Sequence, residues 1–203
     1  MKHAIRDCPE PTRYRVVMHT HGVRMTDIPW HDEFFFIVRD PVDRFVSAFD
    51  SRLRKGEPRF SVPWTEAEER AFASFPSASE LGLALAGTGA RRADAEAAMR
   101  SIGHVNTSYW DWFRDRDAIG KRARDILWIG FVEGLDAQMP ELAKRLGVPA
   151  LELPSDSVAA HRSTTDAKSV LAPEARVALA EWYRKDYEFL ELCRELNARL
   201  ESR

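Results

Sequence analysis

The chain has 203 residues, 44% of them hydrophobic and 31% charged, with 30 Lys+Arg against 32 Asp+Glu. That length and apolar content predict one globular domain over residues 1–203 with a sizeable core, and they exclude wholesale disorder. A formal net charge of −2 supplies no global pull toward nucleic acid or an anionic membrane, and no apolar run approaches the roughly 20 residues a bilayer span requires.

The opening residues Met1–Arg6 are too polar for a signal peptide. Cys8 and Cys193 are two lone thiols far apart in sequence, which is no disulfide framework. The expectation is a soluble cytoplasmic protein without a membrane span. Three short runs rich in β-branched and aromatic residues, Tyr14–Met18, Phe34–Val38 and Ile126–Phe131, predict buried strands. Their continuous apolar character suits a parallel sheet covered on both faces. After the second run, Val42, Phe45, Val46, Phe49 and Leu53 recur at the spacing of one helix face. Thr65-Glu66-Ala67-Glu68 reads as a capping box opening a helix toward Phe75. Pro76–Ser79 breaks that helix, and two Ala-rich helical stretches follow, Glu80–Ala86 and Arg91–Arg100, with Gly87-Thr88-Gly89 as a turn between them. After the third run, Leu135, Met139, Leu142 and Leu146 mark another helix, closed by Gly147. From Pro173 onward the pattern predicts one long amphipathic helix with the stripe Leu179, Trp182, Tyr183, Phe189, Leu190, Cys193, Leu196 and Leu200. Asp186 interrupts that stripe and so calls for a basic or hydrogen-bonding partner. Strand–helix alternation predicts an α/β fold: a parallel sheet flanked by helices, with a helical insertion and a long C-terminal helix.

The most informative stretch is Phe34–Phe49. A buried strand ending at Arg39 delivers this residue to the carboxyl edge of the sheet, where open α/β sheets bind their ligands. Asp40 suits the N-cap of the next helix, Pro41 its first position and Asp43 its first turn, so the junction that aims Arg39 is tightly specified. The Arg39 guanidinium offers a planar fork of donors matched to phosphate oxygens, and Ser47 adds a hydroxyl two turns along the helix. The plain alternative is that Arg39 pairs with a carboxylate and Ser47 is an ordinary helix serine. Further down the chain, Arg52-Leu53-Arg54-Lys55 is either a charged helix end or a basic cluster that meets an anionic acceptor.

The string Arg39-Asp40-Pro41-Val42-Asp43-Arg44-Phe45-Val46-Ser47 resembles the 3′-phosphate-binding motif of sulfotransferases that use 3′-phosphoadenosine 5′-phosphosulfate (PAPS). The resemblance implies that Arg39 and Ser47 bind the 3′-phosphate of the donor, with Arg44 in the intermediate basic position. Gly103–Tyr109 is similar to a His-x-x-Pro-Gln-Ser-Tyr segment of the carbohydrate branch, from which Val105-Asn106 departs. Trp128–Leu135 looks like the late strand of the family. His161-Arg162-Ser163, Leu171–Glu174 and Tyr183–Glu188 look like its closing loop and last helix. The resemblance further implies a P-loop-NTPase-like sheet and a hydroxyl acceptor, and its carbohydrate branch implies a sugar. It also implies a Lys- and Gly-rich loop cradling the 5′-phosphosulfate ahead of residue 1; no such loop precedes Arg39 here, and Met1–Arg6 looks like the helix that would follow it, so relative to the family the sequence starts late.

His19-Thr20-His21 follows the first apolar run, and alternate residues of an extended chain share a face. A sulfuryl acceptor hydroxyl needs a base that titrates near neutral pH, for which histidine is the natural choice; of the two we favour His21 over His19, although position alone does not separate them. This segment is also similar to a His-x-His of uronyl 2-O-sulfotransferases. A structural histidine and a metal pair are the alternatives; without a third ligand the metal reading is the weaker, and no metal is expected. His104 is a candidate for contact with the acceptor or cofactor, with a capped-turn or core role as the alternative, and Arg44 is a second candidate for the acceptor. Arg162, Ser163 and Lys168 are candidates for a loop over the nucleotide, with a solvated polar loop as the alternative, favoured for Lys168. Trp110 and Trp112 form a sugar-stacking platform or divide between core and surface. Three functions fit: a PAPS-dependent sulfotransferase, a degenerate module that binds adenosine 3′,5′-bisphosphate or a glycan without turnover, or a generic α/β protein in which Arg39 is structural.

Overall fold

The computed structural model describes residues 13–20, 22–58, 60–153 and 170–201. After a single 3₁₀ turn at Met25–Asp27, the elements in chain order are β1 (Phe34–Val38), α1 (Pro41–Leu53), α2 (Glu66–Ser74), α3 (Ala78–Ala86), α4 (Gly89–Ser101), α5 (Trp110–Phe113), α6 (Arg116–Lys121), β2 (Ile126–Phe131), α7 (Leu135–Leu146), α8 (Pro173–Trp182) and α9 (Arg184–Glu201). Described residues within 13–39, 109–153 and 188–201 form one compact unit, and those within 40–108 and 170–187 form a second.

In the first unit β1 and β2 pair in parallel, with Phe35 opposite Trp128 and Val38 opposite Phe131. Both strands fall where the apolar runs predict them. The register slips by one residue between Phe34 and Phe35, leaving Leu127 as the extra residue; its carbonyl is taken instead by Nη1 of Arg145, at 2.9 Å. The two faces of β1 are both covered, as unbroken apolar strands require. On one face Phe35 and Ile37 pack with Trp128 and with Met139, Leu142 and Leu146 of α7. On the other, Phe36 meets Phe113 at 4.5 Å between ring centroids, and Phe113 meets Phe189 of α9 at 4.7 Å. Gly130 is required by close approach: a Cβ there would lie 2.2 Å from the Trp128 ring folded over the same face of β2. Gly147 ends α7 in the left-handed region, at φ 72°, which a glycine adopts without strain.

The run Tyr14–Met18 does not form a strand. It is extended, and Tyr14 and Val16 pack onto the α7 cluster, but Val17 and Met18 are exposed and no ladder pairs the segment among the described residues. Alternating contact with a helix, rather than burial on both faces, accounts for its apolar character.

In the same unit Arg122 is buried. Its guanidinium donates to the carboxylate of Asp125 and to the carbonyls of Ile28 (2.9 Å), Pro29 (3.0 Å), Asp32 (3.1 Å) and Met25 (3.5 Å). One planar fork thus ties down the whole approach to β1.

The second unit is helical. Val42, Phe45, Val46 and Phe49 of α1 pack with Phe72, Phe75, Leu81, Met99, Ile102 and Leu179. Thr65 caps α2 reciprocally with Glu68, as the capping box predicts. Helices α3 and α8 approach closely at Gly82, where a Cβ would come within 2.7 Å of the Ala175 Cβ. Glu68 is buried and forms a two-pronged ion pair with Arg52, at 2.7 and 2.8 Å, while also accepting from the amides of Thr65 (2.9 Å) and Gly103 (3.0 Å). Arg52 is therefore a core residue rather than part of a basic surface cluster, and its remaining donors reach the carbonyls of Val62 and Pro63, both at 3.3 Å. Arg54 and Lys55 are exposed.

The C-terminal segment is two helices, not one. The break falls at the single residue Tyr183, whose φ −94° and ψ 21° depart from helical values; its hydroxyl donates to the carbonyl of Val105 at 2.7 Å.

Candidate functional site

In the first unit the carboxyl edge of the parallel pair is closely built. The ladder runs one residue past the strands, the amide of Val132 donating to the carbonyl of Val38 at 2.9 Å. Gln138 of α7 closes the end of β2: its Oε1 accepts from the Phe131 amide and its Nε2 donates to the Phe131 carbonyl, both at 2.9 Å. Arg39 is the next residue after β1. Its amide donates to the hydroxyl of Tyr109 at 2.9 Å, and that hydroxyl donates back to the Arg39 carbonyl at 2.8 Å. The ring of Tyr109 is buried and stacks on Phe189, 5.2 Å between centroids. Beyond the fixed main chain, Nε of Arg39 is buried and has no hydrogen-bond partner among the described residues. A guanidinium held this way presents donors that an anion would satisfy.

The second unit begins with Asp40, whose carboxylate is used fully. Its Oδ1 caps α1 by accepting from the amides of Val42 (2.9 Å) and Asp43 (3.0 Å), and its Oδ2 accepts from the Tyr187 hydroxyl at 2.9 Å. Burial, and then the bond to Asp40, raise the Tyr187 phenol far above its ordinary pKa, so it stays a donor. Pro41 takes the first helical position and Asp43 the first turn, as the sequence predicts. Ser47 is half-buried on α1, and His104 is exposed in a turn with φ 63°.

Asp186 meets a basic partner, as its position in an apolar stripe requires. It is buried, pairs with Nη2 of Arg44, and accepts from the Ser108 hydroxyl at 2.5 Å. The Arg44 guanidinium also lies 5.5 Å from the centre of the Tyr183 ring. Burial raises the Tyr183 phenol strongly. Arg44 thereby has a structural partner of its own. Beside this knot a shallow depression is lined by Arg100, Asn106, Thr107, Trp182 and Lys185.

A model of the Sulfotransferase family matches residues 18–192, most of the chain. The chain belongs to the sulfotransferase family. Neither the curated proteins nor the solved structures give a match. The fold of this sulfotransferase is mixed, with helices around a parallel strand pair, and its chemistry is sulfuryl transfer in general.

Of the residues expected at the site, the sulfotransferase structure joins Arg39 to Tyr109 in one unit and Arg44 to Ser108 and Asp186 in the other. His19 is exposed. His21, Arg162, Ser163 and Lys168 lie outside the described residues. Trp110 and Trp112 are half-buried against the aromatic cluster: Trp110 packs edge-on to Phe189 at 5.0 Å, and Trp112 lies 6.5 Å from Tyr109. Both therefore lean on the core and form no open platform. Among the described residues no three metal-ligating side chains converge, and no helix is long and apolar enough to cross a membrane. Sequence reasoning missed Gln138. It carries no motif, and its only signal is a polar residue on the buried side of α7, one turn from the start of the helix.

Proposed function

We propose that this sulfotransferase takes its sulfuryl group from PAPS and transfers it to a hydroxyl, that of a carbohydrate. The observation that carries the reading is Arg39: it leaves a parallel strand at the carboxyl edge, its main chain is fixed, and its buried Nε has no partner among the described residues. A phosphate oxygen is the partner that a planar guanidinium fits best. The motif spacing from Arg39 to Ser47 and the family membership support assigning both residues to the 3′-phosphate, on a P-loop-type sheet.

When bound, the donor supplies an activated sulfuryl group on a phosphate leaving group. The residues of the chain then have separate tasks. Arg39 neutralises charge on the 3′-phosphate and Ser47 donates to it, which fixes the nucleotide in one orientation. His21, or His19 beside it, takes the proton from the acceptor hydroxyl as that oxygen attacks. Arg162 and Ser163 are assigned to nucleotide binding, and His104 to the acceptor. Arg44, with its charge balanced by Asp186, holds the helix that carries Ser47.

The test is a calorimetric titration with adenosine 3′,5′-bisphosphate. Arg39→Ala should weaken binding about 10- to 100-fold, the range for losing a hydrogen bond to a charged group, and Ser47→Ala about ten-fold. Binding that neither substitution changes would overturn the assignment.

A further inference from the structure

We propose that Tyr109 is a positioning residue of the donor site, acting through the main chain of Arg39; the proposal rests on the assignment of Arg39 to the 3′-phosphate.

The geometry behind it is specific. An extended residue presents its N–H and C=O toward the same side, as a strand does to its neighbour. Successive residues of a strand present these groups to opposite sides; Val38 bonds to β2, so the amide and carbonyl of Arg39 face the other side of β1, where no strand pairs among the described residues. The Tyr109 hydroxyl takes both, accepting from the amide at 2.9 Å and donating to the carbonyl at 2.8 Å. A single oxygen thus does for Arg39 what a paired residue on a third strand would do. The ring behind that oxygen has little freedom. It is buried, stacked on Phe189 and flanked by Trp112.

The consequence falls on the side chain. With its amide and carbonyl pinned, Arg39 has a fixed Cα–Cβ direction, and its buried Nε is held in one place without a protein partner among the described residues. A phosphate then meets a guanidinium that is already oriented. Without the phenol, the peptide at the end of β1 samples other orientations, and the affinity falls by the fraction of time the correct one is populated. The hydroxyl itself touches no ligand in this scheme.

Tyr109→Phe removes the oxygen and keeps the ring, so the aromatic stack survives. Two nucleotides separate positioning from general damage: adenosine 3′,5′-bisphosphate and adenosine 5′-phosphate, which lacks the 3′-phosphate. In the wild-type protein the first should bind more tightly than the second. In Tyr109→Phe that preference should shrink about ten-fold, equivalent to about 1.4 kcal/mol, while adenosine 5′-phosphate binds as before. In an Arg39→Ala background, Tyr109→Phe should produce no further loss, because the two act through one contact. Equal weakening for both nucleotides would mean that Tyr109 is merely structural, and an unchanged preference would mean that it does not position Arg39. Either result overturns the proposal while leaving the 3′-phosphate assignment in place. A wild-type protein that binds both nucleotides equally would instead refute that assignment, and the role of Tyr109 with it.

Discussion

Glu68 offers a direct probe of what holds the helical unit together. Its carboxylate receives two bonds from Arg52 and one each from the amides of Thr65 and Gly103, so it joins α1, α2 and the turn after α4 at one buried point. The side-chain bonds from Arg52 contribute most to pulling its pKa from an ordinary 4.5 down to about 2. At 1.36 kcal/mol per unit, that drop amounts to about 3 kcal/mol of stability. Because folding lowers the pKa, the unfolded chain binds more protons in the window between about 2 and 4.5. The contribution is fully present above about pH 4.5 and is lost as pH falls through about 2, with about 2 kcal/mol gone by pH 3. Glu68→Gln keeps the shape but leaves Arg52 as an uncompensated buried charge, and should cost about 3–5 kcal/mol at pH 7. Urea unfolding of wild type and Glu68→Gln, followed by circular dichroism at pH 7 and pH 3, measures both quantities. The difference between the two proteins should be large at pH 7 and shrink at pH 3, since titrations common to both cancel. A penalty below about 1 kcal/mol at pH 7, or one that is the same at both pH values, would refute the reasoning.

Two other substitutions probe close packing and the buried arginine knot. Gly82→Ala sets a gain of about 1 kcal/mol in helix propensity against an overpacking cost of about 1–3 kcal/mol, and the neighbouring backbone of Ala175, 3.2 Å from the new Cβ, cannot rotate away. We expect a net loss, recovered in part by Ala175→Gly, and a rise in melting temperature for Gly82→Ala alone would contradict the tight α3–α8 contact. Arg122→Lys should fail to replace the arginine, because one ammonium cannot reach the four carbonyls and the carboxylate that the fork spans. Amide exchange over residues 25–33 should accelerate sharply in that variant; protection equal to wild type would show that the knot does not hold the segment.

Much of this arrangement can be read from local pattern. Both strands, the Asp40 cap, the Thr65–Glu68 capping box and the Gly147 stop depend on neighbours a few residues away, and each is found where its signal lies. The need of Asp186 for a partner was legible because an acid in an apolar stripe is costly unless paired. What escaped the sequence depends on distant groups. Tyr14–Met18 has strand composition but no strand to pair with among the described residues, so it packs as an extended cover on α7. Nothing local marks Tyr183, where the backbone leaves helical angles for one residue, as a helix break. Arg52 and Arg122 look like ordinary surface charges until Glu68 and a row of carbonyls are brought around them. The two hydrogen bonds between the Tyr109 hydroxyl and the Arg39 main chain belong to the same class, since the residues lie 70 positions apart.

The pairing of β1 with β2 has a kinetic consequence. The connection between them runs from residue 39 to residue 125, so the first contact between the strands closes a very long loop. Closing a flexible loop of that length costs about 4 kcal/mol of chain entropy before any ladder bond repays it. The helices from α1 to α4, by contrast, pack through contacts between near neighbours along the chain, which form early. If they condense first, the span left to be closed is much shorter than the residue count suggests. The carboxyl edge of the strand pair is then among the last parts of the protein to be assembled, and a substitution that slows the helical unit delays the placement of Arg39 there even when the finished structure is unchanged.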